Sequence, residues 1–128
     1  MTNEEKAGKK ILLAEDDKFI SLAYLDGLKR AGYDVEHAKD GKEALEKIKS
    51  YNPDLVFLDI IMPEMNGFEV LEEIKKDEKF KNLPVIILSN LGQDTDITKG
   101  KELGAVDYLI KANFSMAEVI KKIESYLK

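Results

Sequence analysis

The sequence predicts an α/β domain in which a doubly wound, five-stranded parallel sheet carries helices on both faces. Three observations predict it. Five short apolar runs each lead into a segment of helical periodicity, and such alternation implies parallel strands joined by right-handed crossovers. The runs over 55–58 and 85–88 are continuously apolar, as strands covered on both faces are. All three prolines fall between elements rather than inside them.

Residues 10–14 form the first apolar run, and it closes on Glu15-Asp16-Asp17. Phe19, Leu22, Ala23, Leu25, Leu28 and Ala31 then recur at helical spacing, with Gly32 as the stop. Weak alternation over 33–38 marks a second strand. Asp40 caps the next helix with Glu43 three positions on; Ala44, Leu45 and Ile48 face inward and Pro53 ends the helix. The third strand, 54–58, delivers Asp59 to its end, where Pro63 and the Asn66-Gly67 turn forbid further pairing.

Asn66 and Glu69 have capping-box spacing, and Phe68, Leu71 and Ile74 share one face of the helix that follows. The run 85–88 ends on Ser89-Asn90. Residues 93–103 should be helical but bury little beyond Ile97 and Leu103, and Gly100 costs about 1 kcal/mol relative to alanine. The least stable helix is therefore expected there. Gly104 stops it, 105–110 is the fifth strand and Lys111 stands at its end. Ser115 and Glu118 cap a last helix whose Val119, Ile120, Ile123 and Leu127 face the core.

A chain of 128 residues suits one domain, here 10–128 behind a flexible tail over 1–9. With no cysteine and one histidine, disulfides, thiolate zinc sites and a Ser-His triad are excluded, so a metal must be held by oxygen. The balance of 25 acidic against 20 basic residues argues against a nucleic-acid surface. The first ten residues, Met1 to Lys10, are polar and carry no apolar stretch of the kind a signal peptide or membrane span requires, which predicts a cytoplasmic protein.

Ligands of open parallel sheets sit beyond the carboxyl ends of the strands. Asp16, Asp17, Asp59, Ser89 and Lys111 are all delivered to that rim. Clustered carboxylates raise at least one pKa unless a cation neutralises them, and oxygen-only ligands favour Mg²⁺ or Mn²⁺. Mg²⁺ keeps waters and completes its shell with phosphate oxygens, which suits phosphoryl chemistry with Asp59 as nucleophile and Lys111 and Ser89 as donors. Taken singly, each residue has a plainer reading. Asp16 or Asp17 caps a helix, Ser89 belongs to a turn, Lys111 is solvated, Tyr108 is a half-buried aromatic and His37 is a strand residue with no special role. The joint arrival of acids, hydroxyl and lysine at strand ends favours a site.

The runs Ile11-Leu12-Leu13-Ala14-Glu15-Asp16-Asp17, Leu58-Asp59-Ile60-Ile61-Met62-Pro63-Glu64-Met65-Asn66-Gly67 and Gly104-Ala105-Val106-Asp107-Tyr108-Leu109-Ile110-Lys111 resemble three motifs of one family. That family is the receiver domain of two-component response regulators, including the single-domain chemotaxis type. The resemblance implies a flavodoxin-like sheet with strand order 2-1-3-4-5. It implies Asp59 as phosphoacceptor, Mg²⁺ held by Asp16, Asp17, Asp59 and the Ile61 carbonyl, Ser89 and Tyr108 as switch residues, and Lys111 on the phosphoryl group. Two positions depart from the family pattern. Asn90 follows the switch hydroxyl where a small residue is usual, and Ala112 replaces the proline that usually follows the lysine in a cis bond. The second departure leaves two forms open, a trans bond with a re-aimed lysine or a strained cis bond.

The resemblance implies a stand-alone switch that takes a phosphoryl group from a sensor histidine kinase or histidine phosphotransfer protein. Its output would be a surface of the 93–103 helix, fifth strand and last helix, binding a downstream protein as a monomer or phosphorylation-dependent dimer. It would be no enzyme beyond self-phosphorylation from small donors and autodephosphorylation. A phosphorylation-independent receiver-fold module is the alternative, favoured by Asn90 and Ala112. A small hydrolase with an aspartyl nucleophile would want a second acid where Ile61 stands, and acids after the first strand would repel a flavin phosphate.

Overall fold

The computed structural model describes residues 8–90 and 94–127. The expected tail lies outside them as far as residue 7. Five strands, β1 (Lys10–Ala14), β2 (Asp34–Ala38), β3 (Leu55–Leu58), β4 (Val85–Ser89) and β5 (Asp107–Ile110), alternate with helices. The sheet is parallel throughout, in the order β2-β1-β3-β4-β5. The helices are α1 (Lys18–Arg30), α2 (Gly41–Tyr51), α3 (Gly67–Lys76), α4 (Asp94–Glu102) and α5 (Met116–Leu127), with a 3-10 turn at Lys111–Asn113.

Strand alternation divides the core in two. Leu12, Val56, Leu58 and Ile87 face α2, α3 and α4, where Ala44, Ile48, Leu71 and Ile74 meet them. Ile11, Leu13, Phe57, Ile86 and Leu88 face α1 and α5 and meet Leu28, Val119 and Ile123. Both sides of β3 are therefore buried, which is why its sequence is apolar without alternation. At its carboxyl end the Asp59 carboxylate lines an open cleft.

Helix starts follow the capping residues closely. Asn66 and Glu69 form a reciprocal capping box, and Ser115 and Glu118 form another. Asp40 caps α2 through the Glu43 amide, while Glu43 reaches back to the Lys39 amide, one residue before the cap.

Two expectations need correction. Phe19 and Leu22 do not face the core; they are 83% and 55% exposed, and Ser21, Tyr24, Leu25 and Leu28 form the inward side of α1. On the inward side the Ser21 hydroxyl is buried, donating to the Asp17 carbonyl at 2.7 Å. Gly100, read as a weakness of α4, is the one buried residue of that helix. A Cβ there would run into Ile87 of β4, so the glycine brings α4 close to the sheet.

Candidate functional site

Asp59 follows the last residue of β3 and its amide still pairs with the Ala14 carbonyl, so the carboxylate is held on a regular strand end. It is only 6% exposed. Its Oδ1 accepts from the Ile60 amide at 2.8 Å and its Oδ2 from Lys111 Nζ at 3.0 Å. Behind it, Gly67 sits where any Cβ would overlap the Asp59 carbonyl, so the glycine at the start of α3 permits the loop to close on the strand.

The acids after β1 do not divide as expected. Glu15, directly after the strand, points inward, is 1% exposed and forms an ion pair with Lys111. Asp17 instead caps α1, its Oδ1 accepting from Phe19 N at 2.9 Å and Ile20 N at 3.0 Å. One oxygen each from Glu15, Asp16 and Asp59 lies within 4.8 Å of the others. The expected pair Asp16 and Asp17 is thus displaced by one residue toward Glu15, which was not singled out. The signal was present in the sequence: the apolar run stops at Ala14, so the first acid at the rim is Glu15.

Lys111 reaches this acid group from the end of β5. Among the described residues no peptide bond is cis, so the Lys111-Ala112 bond is trans. The lysine is nevertheless not re-aimed. The chain turns into the 3-10 segment directly after β5, and the ammonium still lies between Glu15 and Asp59. Burial alone would lower the Lys111 pKa, but its two carboxylate partners outweigh that and hold it above the usual range. Burial, with the Asp59 charge adding and Lys111 opposing, pushes Glu15 up to about 7.

Ser89 ends β4 and is buried; Tyr108, also buried, shares a hydrogen bond with it. Burial raises the Tyr108 pKa and the Ser89 contact opposes that rise. Glu15, Asp16, Asp17, Asp59, Ile61, Ser89, Asn90 and Lys111 all line one cleft of about 210 Å³. The expected site residues therefore converge, with Tyr108 behind Ser89. An oxygen-only acid group with one interior lysine fits a small hard divalent cation beside a transferable anionic group.

The family model described as the response regulator receiver domain matches residues 11–124. The chain belongs to that family. Receivers are signalling domains of two-component systems; they take phosphoryl groups from histidine kinases, bind Mg²⁺ or Mn²⁺ at an acidic pocket and act on downstream partners. This receiver is 35% identical to the chemotaxis protein CheY of Thermotoga maritima, covering 94% of this chain and 99% of that protein. It is 36% identical to the DNA-binding regulator RpaA of Synechocystis, covering 93% of this chain and 49% of that protein.

The receiver thus spans about half the length of the transcriptional regulators first matched. The DNA binding in that name is the property of the longer protein, and the expectation of no nucleic-acid partner rests on charge balance alone. Among solved structures, Vibrio cholerae CheY4 superposes with TM-score 0.86 at 31% identity, over 94% of this chain and 99% of that one. A Mn²⁺-bound form of the response regulator Rcp1 superposes with TM-score 0.79 at 30% identity, over 91% of this chain and 92% of that one. No helix among the described residues is long and apolar enough to cross a membrane.

Proposed function

We propose that this receiver acts as a phosphorylation switch on Asp59. The observation that carries the reading is the Asp59 carboxylate, fixed at a strand end between the Ile60 amide and Lys111 yet lining an open cleft. The Oδ2 that Lys111 now neutralises would attack phosphorus of a phosphohistidine on a kinase or phosphotransfer protein. The P–N bond breaks, the P–O bond forms and the histidine nitrogen leaves with its electron pair, taking up a proton. Small phosphoryl donors would enter the same cleft.

Asp16 and Asp59, with Glu15 in the role expected of Asp17, and the Ile61 carbonyl would hold Mg²⁺. That ion, when bound, offsets the charge of nucleophile and donor. Lys111 is then released from its carboxylates to a phosphoryl oxygen, and Ser89 donates to another. The Ser89 and Tyr108 hydrogen bond couples that movement to the sheet edge beside α4. Of α4 only Gly100 is buried and Ile97 packs partly buried on the core, so a shift of this helix would uncover little apolar surface. Output through α4, β5 and α5 to a downstream protein follows. Ile61, exposed at the cleft, and the exposed Phe19 and Leu22 of α1 would supply an apolar docking surface for the donor protein.

A phosphorylation-independent module is the second reading, and it is favoured by Asn90, which lines the cleft where the family usually has a smaller side chain. Intact mass after incubation with Mg²⁺ and acetyl phosphate separates the two. Gain of one phosphoryl group by the parent and none by Asp59→Asn supports the switch. No gain in a folded parent that binds Mg²⁺ supports the module.

A further inference from the structure

The imidazole of His37 is placed behind the acidic loop, with no part in the chemistry described above. His37 is the fourth residue of β2, in register with Leu13 of β1. It shares a strand face with Val35, whose side chain packs on the α1 side of the sheet. From there Nε2 lies 2.7 Å from the Glu15 carbonyl oxygen and 3.0 Å from Ser21 Oγ. A carbonyl only accepts, so Nε2 carries the proton and donates to Glu15. The Ser21 hydroxyl in turn donates to the Asp17 carbonyl at 2.7 Å.

The consequence is a fixed frame around the acids. Both carbonyls flanking Asp16 are held from behind, one by β2 and one by the first turn of α1. The Glu15 amide is held as well, donating to the Ala38 carbonyl at 3.0 Å. Glu15 therefore has its N–H and its C=O both tied to consecutive residues of β2. His37 is itself braced, since Lys47 Nζ donates to its carbonyl at 2.7 Å while standing 3.6 Å from Glu36 and Glu43 carboxylates.

We propose that His37, with Ser21 beside it, is a positioning residue for the divalent cation. By bonding the Glu15 carbonyl it presets the backbone from which the Glu15 and Asp16 carboxylates reach into the cleft. The proposal rests on the reading of that acid group as a cation site. The physical reason is preorganisation. Mg²⁺ demands near-octahedral oxygen geometry at about 2.0–2.1 Å, so a loop free to shift must be ordered when the ion binds, at the expense of affinity. Residues that orient ligands without touching the metal typically change affinity by about 10–100-fold when removed. Here the link runs through a backbone carbonyl rather than a ligand side chain, which places the effect at the lower end of that range.

The test is calorimetric titration with Mg²⁺ alone of the parent, His37→Ala, His37→Gln and Ser21→Ala, with urea midpoints of the metal-free proteins measured alongside. Glutamine offers an N–H at a similar reach from the backbone. The expected result is about tenfold weaker Mg²⁺ binding by His37→Ala, a smaller loss by Ser21→Ala, and recovery of most of the affinity by His37→Gln. A His37→Ala protein that is less stable but binds Mg²⁺ as the parent does would reduce the histidine to a structural prop and overturn the proposal. Binding by His37→Gln as weak as by His37→Ala overturns the donor role, and His37→Gln reports even where the alanine variant does not fold. A folded parent that fails to bind Mg²⁺ overturns the cation-site reading along with it.

Discussion

Lys111 Nζ stands 3.0 Å from Asp59 Oδ2, although 52 residues of chain separate them. The same ammonium is paired with Glu15, so one cation balances two carboxylates from two other strand ends. All three side chains are less than a tenth exposed. In the metal-free protein the lysine is therefore a counter-ion as well as a candidate phosphoryl ligand.

Lys111→Met should destabilise the metal-free protein by about 2 kcal/mol. Removing one partner of a buried pair usually costs about 3–5 kcal/mol, but Glu15 can relieve part of that by taking up a proton. Added Mg²⁺ should recover more stability in the variant than in the parent, because the ion replaces a lost charge. Urea unfolding with and without Mg²⁺ measures both quantities. Equal Mg²⁺ effects in the two proteins would mean that Lys111 and the cation do not share carboxylates.

Glu15 makes stability depend on pH in a direction opposite to that of most carboxylates. Its folded pKa is about 7 against an ordinary 4.5, so between these values the folded protein binds the proton more tightly than the unfolded chain does. The contribution is fully present below the unfolded value and is lost as pH rises through about 7. In EDTA, the urea midpoint of the parent should fall over that interval relative to Glu15→Gln, which carries no titrating group there. Protons and Mg²⁺ compete for the same oxygens, so Mg²⁺ affinity should rise over the same interval. A midpoint difference that stays flat across it would show that Glu15 is ionised throughout.

Gly100→Ala should lower stability even though alanine is the better helix former. The propensity gain is about 1 kcal/mol, and overpacking a tight contact typically costs about 1–3 kcal/mol. The added methyl meets the Ile87 Cδ1 methyl and approaches the Tyr108 ring, so the Ile87 side chain must turn or α4 must move away from the sheet. Thermal unfolding reads the sign. A rise in Tm would mean that the helix already has room to accommodate the group.

Phe19→Ala should leave phosphorylation by acetyl phosphate unchanged and slow phosphotransfer from a donor protein. The ring is 83% exposed in the first turn of α1, close to the cleft but outside its lining, so its loss removes docking area and no group of the site. Parallel rates with the two donors decide the matter, and an equal fall in both would assign Phe19 to the site itself.

The order of strands and helices was legible because it depends on local chemistry. Apolar runs covered on both sides, the Asp40, Asn66 and Ser115 caps, and the position of prolines all act over a few residues. Asp59 was legible for the same reason: the strand that carries it stops one residue earlier. The Asn66-Gly67 turn after it reads in the sequence only as an end to pairing, and the structure adds that Gly67 lies against the Asp59 carbonyl.

Other features depend on which elements meet, and no local pattern encodes that. Helical spacing groups Phe19 and Leu22 with Leu25 and Leu28, but both face out while Ser21 between them is buried against the Glu15 and Asp17 carbonyls. The end of the apolar run at Ala14 makes Glu15 the first acid at the rim, but which of the three acids turns inward is decided by the groups that meet them. Glu15 does so because Lys111 arrives beside it from β5, while Asp17 satisfies the free amides of α1. His37 reads as an unremarkable strand residue until β2 pairs with β1 and brings its Nε2 to the Glu15 carbonyl. The sequence alone determined the fold class and the chemistry available at the rim, since both follow from residue type and short-range order. Only the tertiary structure decided which carboxylates share that rim and what holds them there, because those relations are distances between strands far apart in the chain.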